Sequence, residues 1–314
     1  MQGTIVRSTG SWYDVKIADN SILPCRIIGK FRLEDKPVTN PVAVGDHVII
    51  EPVPGEETGM IVEILDRKNY VIRQSPRKKH NLHILAANID QALLVITIAE
   101  PKLKQGFIDR FLLMTEPYDI PVHIVFNKSD IYDEDDLLMY NYLKAVYTSI
   151  GYESSLVSAK TGEGFDTLRD YLKDKMTLFA GQSGVGKSTL INGLQPNLEL
   201  RTGEISDYSG KGQHTTTFAE MFDLEGGGQI IDTPGIKNLS FNHFEVMDVA
   251  HNFKEIFIES KDCKFDDCMH RNEPKCSVKQ AVEEGYISEL RYNNYLQLVQ
   301  EVEDQNYWER KSGF

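Results

Sequence analysis

The stretch Gly181-Gln182-Ser183-Gly184-Val185-Gly186-Lys187-Ser188 constrains this chain more than any other. It spells G-x-x-x-x-G-K-[ST] and follows an apolar run of strand length, Thr177–Ala180. Glycines at those positions let successive backbone N–H groups turn inward around an anion. The helix that must start near Lys187 adds the positive end of its dipole. A loop of this kind needs a strand before it and a helix after it. In that setting the Lys187 ammonium reaches the terminal phosphates of a nucleotide, the Ser188 hydroxyl ligates Mg²⁺, and Thr189 completes the phosphate-contacting set.

The rest of the central sequence has the matching rhythm. Apolar runs (Ala92–Ile98, Val122–Phe126, Ser155–Val157, Ile230–Ile231) alternate with helical patterns, which predicts a mostly parallel α/β sheet. One helix is predicted from the acidic cluster Asp133-Glu134-Asp135-Asp136 to just before Gly151, with Leu143, Val146, Tyr147 and Ile150 on its inner stripe.

Two strand ends carry base-recognition chemistry. Asn127-Lys128-Ser129-Asp130 fits the N-K-x-D element of GTPases. A carboxylate at Asp130 accepts two parallel hydrogen bonds from guanine N1–H and the exocyclic amine. Adenine offers no such pair and would leave the carboxylate unpaired, which is costly when buried. Asn127 is expected either at the guanine or as a tie to the phosphate loop, with the Lys128 stem packed on the ring. Ser158-Ala159-Lys160 fits the companion S-A-K element, its Ala159 amide expected at guanine O6.

Asp232-Thr233-Pro234-Gly235 closes another strand. Asp232 suits the Mg²⁺ shell, and the Gly235 amide suits the γ-phosphate. Between it and the phosphate loop stand Thr215, Thr216 and Thr217. One of these hydroxyls, Thr216 by preference, is expected on Mg²⁺ in the triphosphate state. Conventional GTPases place the phosphate loop first and the base motifs late. Here the base motifs precede it, so the domain reads as circularly permuted. Domain termini usually lie at the surface and close together, and a chain can be rotated about them.

The flanks differ from the centre. Residues 1–72 read as five short strands between turn signals, a small β-barrel of OB type that suits RNA binding. Residues 73–82, with Arg73, Arg77, Lys78, Lys79 and His80, read as a basic linker; residues 83–240 form the permuted domain and 241–314 a mostly helical one. The formal charge of −13 argues against indiscriminate nucleic-acid binding but leaves room for a local basic contact. The longest apolar run, Ala92–Ala99, is far too short to span a bilayer, so no membrane partner is expected. The first residues show no basic-then-apolar leader. A cytoplasmic protein follows, and nothing demands more than a monomer.

Cys263-x₄-Cys268-x-His270-x₅-Cys276 supplies three thiolates and one imidazole within 14 residues. That is the donor set of a closed, structural Zn²⁺ site with no open catalytic position.

The permuted order, G-Q-S-G-V-G-K-S, G-Q-H-T-T-T, D-T-P-G and the cysteine cluster together resemble the RsgA/YjeQ family of small ribosomal subunit biogenesis GTPases. The resemblance runs over nearly the whole chain. It implies an OB-fold, a permuted GTPase domain and a zinc domain. It also implies binding to the 30S subunit and its rRNA late in assembly, alongside assembly factors, and GTP hydrolysis stimulated by that subunit. Ile236 stands where many GTPases carry a water-orienting glutamine. Slow unaided hydrolysis is therefore expected, with His214 the first candidate for the missing contact and His243 the next.

Three rival readings remain. An RNA-binding switch would hydrolyse GTP only incidentally. A metal-delivery GTPase would need a site that releases its metal, which a closed Cys₃His set does not. ATP use conflicts with Asp130. Because the chain passes from Asp232–Asn238 into the cysteine-bearing region within about ten residues, ordering of this loop by the γ-phosphate is expected to shift the C-terminal domain; the barrel is tied similarly, through the basic linker to Ala92–Ile98, so GTP is expected to hold both flanking domains in a binding-competent arrangement that hydrolysis relaxes.

Overall fold

The computed structural model describes residues 1–29, 40–74, 82–104, 106–198, 219–233 and 244–312, without the side chains of 73, 74, 82 and 305–312. Five strands open the chain: β1 (Gln2–Ser8), β2 (Tyr13–Ile17), β3 (Ile22–Ile27), β4 (His47–Pro52) and β5 (Gly59–Ile64). They pair in the cyclic order β1-β2-β3-β5-β4-β1, with only β3–β5 parallel. This closed five-stranded barrel has the OB-fold connectivity. Alternate residues point inward, as the two-residue period of a strand requires. Ile5, Tyr13, Val15, Cys25, Val48, Ile50 and Ile61 thus fill the barrel, each at most 1% exposed.

A short antiparallel pair follows, β6 (Tyr70–Gln74) with β7 (Leu82–Ala87). Its strands reach both ends of the segment expected to be a linker. Val71 opposite Ala86 and Ile72 opposite Ile84 carry the pairing, and the basic residues between the strands hid it. Arg77, Lys78, Lys79 and His80 lie outside the described residues.

The central sheet contains β8 (Gln91–Ile96), β9 (Val122–Phe126), β10 (Glu153–Leu156), β11 (Met176–Gly181), β12 (Glu220–Asp223) and β13 (Gln229–Asp232), in the spatial order β10-β9-β8-β11-β13-β12. All neighbours are parallel except β12–β13. Strands β8 and β9 are buried throughout, as expected where both faces of a parallel sheet are covered. Counting from β11, past the end of the domain and back to β8, the spatial order reads 2-3-1-4-5-6. The chain thus enters an ordinary nucleotide-binding sheet at its fourth strand, and the topology itself displays the permutation. The barrel joins this sheet edge to edge through Arg7 of β1 opposite Glu220 of β12.

Four helices belong to the sheet: α1 (Phe107–Thr115), α2 (Glu134–Ser149), α3 (Phe165–Leu172) and α4 (Lys187–Leu194). Helix α2 starts where the acidic cluster predicts, on a reciprocal capping box between Asp133 and Asp136. The C-terminal region contributes α5 (Val246–His251), α6 (Lys254–Ser260), α7 (Ser277–Glu283) and the long α8 (Glu289–Ser312). Among the described residues no helix is long and apolar enough to cross a membrane.

Candidate nucleotide site and metal centre

The carboxyl ends of β9, β10, β11 and β13 lie along one edge of the sheet, where open α/β folds bind ligands. Each of the sequence motifs within the described residues sits at one of these ends.

Gly181 ends β11, and α4 begins after Gly186. Both glycines are required by space as well as by backbone angle. A Cβ on Gly181 (φ 151°) would lie 2.2 Å from the Val95 carbonyl oxygen of the neighbouring strand. A Cβ on Gly186 (φ 91°) would lie 2.4 Å from Asn127 Nδ2. That second clearance is what lets the base motif touch the phosphate loop. Within the loop, Ser183 and Gly184 are exposed, Gln182, Lys187 and Ser188 partly so, and Val185 is buried. Thr189 is exposed on the first turn of α4.

Lys187 Nζ donates to the carbonyls of Gly181 (2.8 Å) and Gln182 (3.0 Å). Burial holds its ammonium below the ordinary lysine range, against the pull of the Asp232 carboxylate. Asp232, 7% exposed, has an Oδ1 without a hydrogen-bond partner. Burial raises its carboxyl to about 6, opposed by Lys187 and reinforced by Glu220. A buried carboxylate oxygen with no donor is expensive unless a cation or donor joins it. It sits on the strand beside the phosphate loop, as a Mg²⁺-shell carboxylate would, so the residues fit that ion. Thr233 is buried and donates to Phe179 O (3.2 Å), fixing the strand end to β11.

Asn127, fully buried, joins three loops. Its Nδ2 donates to Val185 O (2.8 Å), its Oδ1 accepts from Ala159 N (2.9 Å), and its own amide donates to Ile96 O (2.8 Å). Of the two contacts expected for this side chain, the tie to the phosphate loop is therefore present. The Ala159 amide, expected at guanine O6, instead donates to Asn127. Asp130 Oδ1 accepts from Ser158 Oγ (2.6 Å), and its Oδ2 lies 3.7 Å from Lys160 Nζ. The Ser158 bond leads in holding the Asp130 carboxyl below its usual range, so this group is ionised at neutral pH. Lys128 takes the left-handed conformation (φ 69°), with its Cε 4.0 Å from where a Gly186 Cβ would be.

Sequence reasoning missed the supports of this loop. Tyr132 Oη donates to Asn127 O (2.9 Å) and accepts from Ile98 N (2.9 Å), while Ser129 Oγ donates to Glu163 (2.8 Å). A tyrosine two residues past Asp130 has no motif to announce it. Thr215, Thr216, Thr217, His214, Gly235, Ile236 and His243 lie outside the described residues.

The second site lies in the C-terminal region. One ligand atom from each of Cys263, Cys268, His270 and Cys276 falls within 4.8 Å of the others. Cys263 Sγ is 3.9 Å from Cys276 Sγ, and His270 Nδ1 is 3.6 and 3.4 Å from those two sulfurs. A tetrahedral ion with metal–sulfur bonds of about 2.3 Å and metal–nitrogen bonds of about 2.0 Å sets sulfurs about 3.8 Å apart and sulfur and nitrogen about 3.5 Å apart. The cluster has the dimensions of a metal site, and His270 reaches it through a left-handed backbone (φ 60°). Tyr292 Oη and Tyr295 Oη of α8 hold the carbonyls of His270 and Met269.

Fold and site together define a circularly permuted P-loop GTPase flanked by an OB barrel and a Cys/His-bearing helical region. The family model described as RsgA GTPase matches residues 64–242, and that of the RsgA N-terminal domain matches residues 2–61. The chain belongs to the RsgA GTPase family. It is 52% identical to the small ribosomal subunit biogenesis GTPase RsgA of Bacteroides fragilis over 307 residues, covering 98% of this chain and 99% of that one. The corresponding protein of Christiangramia forsetii is 47% identical over 309 residues, 98% of each chain. Among solved structures, YjeQ from Thermotoga maritima superposes with a TM-score of 0.77 at 36% identity, over 96% of this chain and 98% of that one. YloQ, described as a circularly permuted GTPase, gives 0.72 at 31%, over 97% and 95%.

Proposed function

We propose that this GTPase acts in late maturation of the 30S ribosomal subunit, binding the subunit and its rRNA in the GTP state and hydrolysing GTP when the subunit stimulates it. The observation that carries the nucleotide part is the Asn127 clamp, which gathers the phosphate loop and both base loops at one point. The ribosomal part rests on the printed function of relatives that match over nearly their whole length.

In this reading Asp130 selects guanine. Its carboxylate is ionised and oriented by Ser158, ready to accept from N1–H and the exocyclic amine. Lys128 lies along the ring, and Lys160 holds Asp130 from the outer side. The amides of residues 181–188 and the start of α4 receive the phosphates, with Lys187 released from the Gly181 and Gln182 carbonyls to meet them. Ser188, Asp232 and Thr216 would hold Mg²⁺, which supplies charge neutralisation at the β- and γ-phosphates when bound. The Gly235 amide would meet the γ-phosphate, and His214 would orient the attacking water in place of the glutamine that Ile236 lacks. Cys263, Cys268, His270 and Cys276 would hold one structural Zn²⁺, ordering a segment too small for a core of its own.

The test is GTP and ATP turnover by the purified protein, alone and with 30S or 50S subunits. GTP-selective stimulation by 30S alone is expected. Equal stimulation by both subunits, or by neither, would refute the assignment to the small subunit. His214→Ala is expected to abolish the stimulated rate while leaving GTP affinity within about twofold; an unchanged rate removes that role.

A further inference from the structure

The base loop is anchored at a point where two strands part. Strands β8 and β9 run parallel in register as far as Ile96 opposite Phe126, and Asn127 N continues the ladder to Ile96 O (2.8 Å). The next rung of a parallel ladder would run from Ile98 N to Asn127 O. Tyr132 takes that place: its Oη accepts from Ile98 N (2.9 Å) and donates to Asn127 O (2.9 Å). Ile98 and Asn127 are both buried, so both backbone groups depend on this hydroxyl for a partner.

The same contact closes the segment that carries Asp130. From Asn127 the chain takes a left-handed step at Lys128 (φ 69°) and makes one short turn, Ser129–Ile131. Ile131 N donates to Lys128 O (3.1 Å) and Tyr132 N to Ser129 O (3.2 Å), while Ser129 N ties the turn to Val157 O (3.0 Å) past the end of β10. The Tyr132 side chain then comes back to the Asn127 carbonyl, so residues 127–132 form a closed ring with Asp130 inside it. Ser158 aims the Asp130 carboxylate from a different loop, and that aim holds only while the ring stays in place. Phenylalanine at 132 would keep the apolar packing but could not bridge. Either Ile98 N and Asn127 O would then close to a direct bond of about 2.9 Å, drawing Asn127 toward β8, or both would stay unpaired. Asp130 shifts in the first case and loosens in the second.

We infer that Tyr132 is a positioning residue for guanine selection, holding Asp130 where its carboxylate takes both the ring N1–H and the exocyclic amine. The inference rests on the reading of Asp130 given above and deepens it: Asp130 makes the contact, and Tyr132 sets how well it is made. Guanine and hypoxanthine share the N1–H, and only guanine has the amine. A carboxylate out of place keeps one bond but loses the geometry of two parallel ones, so selection between these two bases is what Tyr132 controls.

The experiment measures Kd for GDP and for inosine diphosphate, in Mg²⁺, with the unaltered chain and with Tyr132→Phe. The unaltered chain should prefer GDP about tenfold or more, the worth of one bond from the amine to an ionised carboxylate. Tyr132→Phe should reduce that preference about threefold or more, the size of coupling expected between groups in one hydrogen-bond network. An equal loss of affinity for both nucleotides, with the preference unchanged, would make Tyr132 a structural prop and overturns the inference. A second measurement needs no variant. Coupling between two contacts is reciprocal, so the amine should tighten the Tyr132 tie by a similar factor. Hydrogen exchange at the Ile98 amide, followed by NMR in the unaltered chain, should be about threefold slower with saturating GDP than with saturating inosine diphosphate. Equal exchange with the two nucleotides overturns the inference. An unaltered chain that binds both nucleotides equally well would instead overturn the reading of Asp130 itself.

Discussion

Replacing Asn127 by alanine tests the architecture of the site most directly. The substitution removes the bonds to Val185 O (2.8 Å) and Ala159 N (2.9 Å) while leaving the backbone bonds to Ile96 and Tyr132. A neutral hydrogen bond contributes about 1 kcal/mol net, and a buried group left without a partner costs about 1–3 kcal/mol. Val185 is buried and its carbonyl carries that second cost, whereas Ala159 is partly exposed and can turn to water. One lost bond and one stranded carbonyl together cost about 2–4 kcal/mol. These bonds join loops rather than hold the core, so the loss belongs mainly to nucleotide binding. At 1.4 kcal/mol per tenfold, Kd should rise roughly 30- to 700-fold. GTP and GDP should suffer alike, because the clamp lies on the base side and not at the γ-phosphate. Displacement of a fluorescent guanine nucleotide by each ligand in Mg²⁺ measures both constants, and a thermal melt without nucleotide checks the fold. A change under threefold with the melt intact, or a loss confined to GTP, would refute the reasoning.

Asp232→Asn should abolish hydrolysis yet raise the melting temperature of the nucleotide-free, Mg²⁺-free protein by a few degrees at pH 8. Burial raises this carboxyl from its ordinary 3.8 to about 6, so its favourable contribution is complete below about pH 4 and is lost as pH rises through 6. The loss is about 2–3 kcal/mol, and melting curves from pH 4 to 8 should converge for the two proteins at the acid end. Cys276→Ala should reduce bound zinc, measured by mass spectrometry, from one ion per chain to none and open residues 263–276 to protease while guanine binding persists. Arg291→Ala should destabilise the chain by about 3–5 kcal/mol, because it strands Asp109 and Glu255 as buried unpaired carboxylates. Chemical denaturation and limited proteolysis between α1 and α8 read that outcome.

Legibility in the sequence followed the reach of each interaction. The barrel strands could be read because the buried Tyr13, Val15, Val48 and Ile50 alternate with less buried neighbours, a signal carried within five residues. Helix α2 announced its start through the acids of its capping box. The phosphate loop and base motifs were legible because their chemistry is local. What escaped depends on residues distant in sequence. Strand β12 (Glu220–Asp223) is short and follows residues with no apolar run, and it exists because β13 and β1 flank it. Tyr132 and Glu163 support the base loop only once the strands have converged. Asp109 and Arg291 are 182 residues apart, and no local pattern links them.

That buried network bears on how a nucleotide signal can leave the GTPase domain. Arg291 of α8, 2% exposed, bonds Glu255 of α6 through Nε and Nη2 and Asp109 of α1 through Nη1, and Tyr147 of α2 donates to the same Asp109 oxygen. The C-terminal helices are therefore fastened to the two helices behind the base-reading strands, not to the Asp232 strand end from which the chain reaches them. Separating them costs about 3–5 kcal/mol for one broken buried pair alone. Coupling between a ligand and a distant site is typically 1–3 kcal/mol. A γ-phosphate at Gly235 thus cannot readily swing this region away, contrary to the expectation from chain order. The barrel is held differently. Its edge-to-edge junction with the sheet is the register pair Arg7–Glu220, reinforced by the Lys16–Asp223 bridge, in which Asp223 is 59% exposed. Exposed pairs contribute about 0–1 kcal/mol. Glu220 is also directly opposite Asp232 on the neighbouring strand, so one rung of the sheet runs from the barrel to the buried Asp232. The barrel is also bound to the GTPase body by Ala87 N donating to Val44 O (2.9 Å), by Asn88 Nδ2 donating to Gly45 O (2.9 Å) and by a shared apolar core, so these exposed pairs are the smaller part of its attachment.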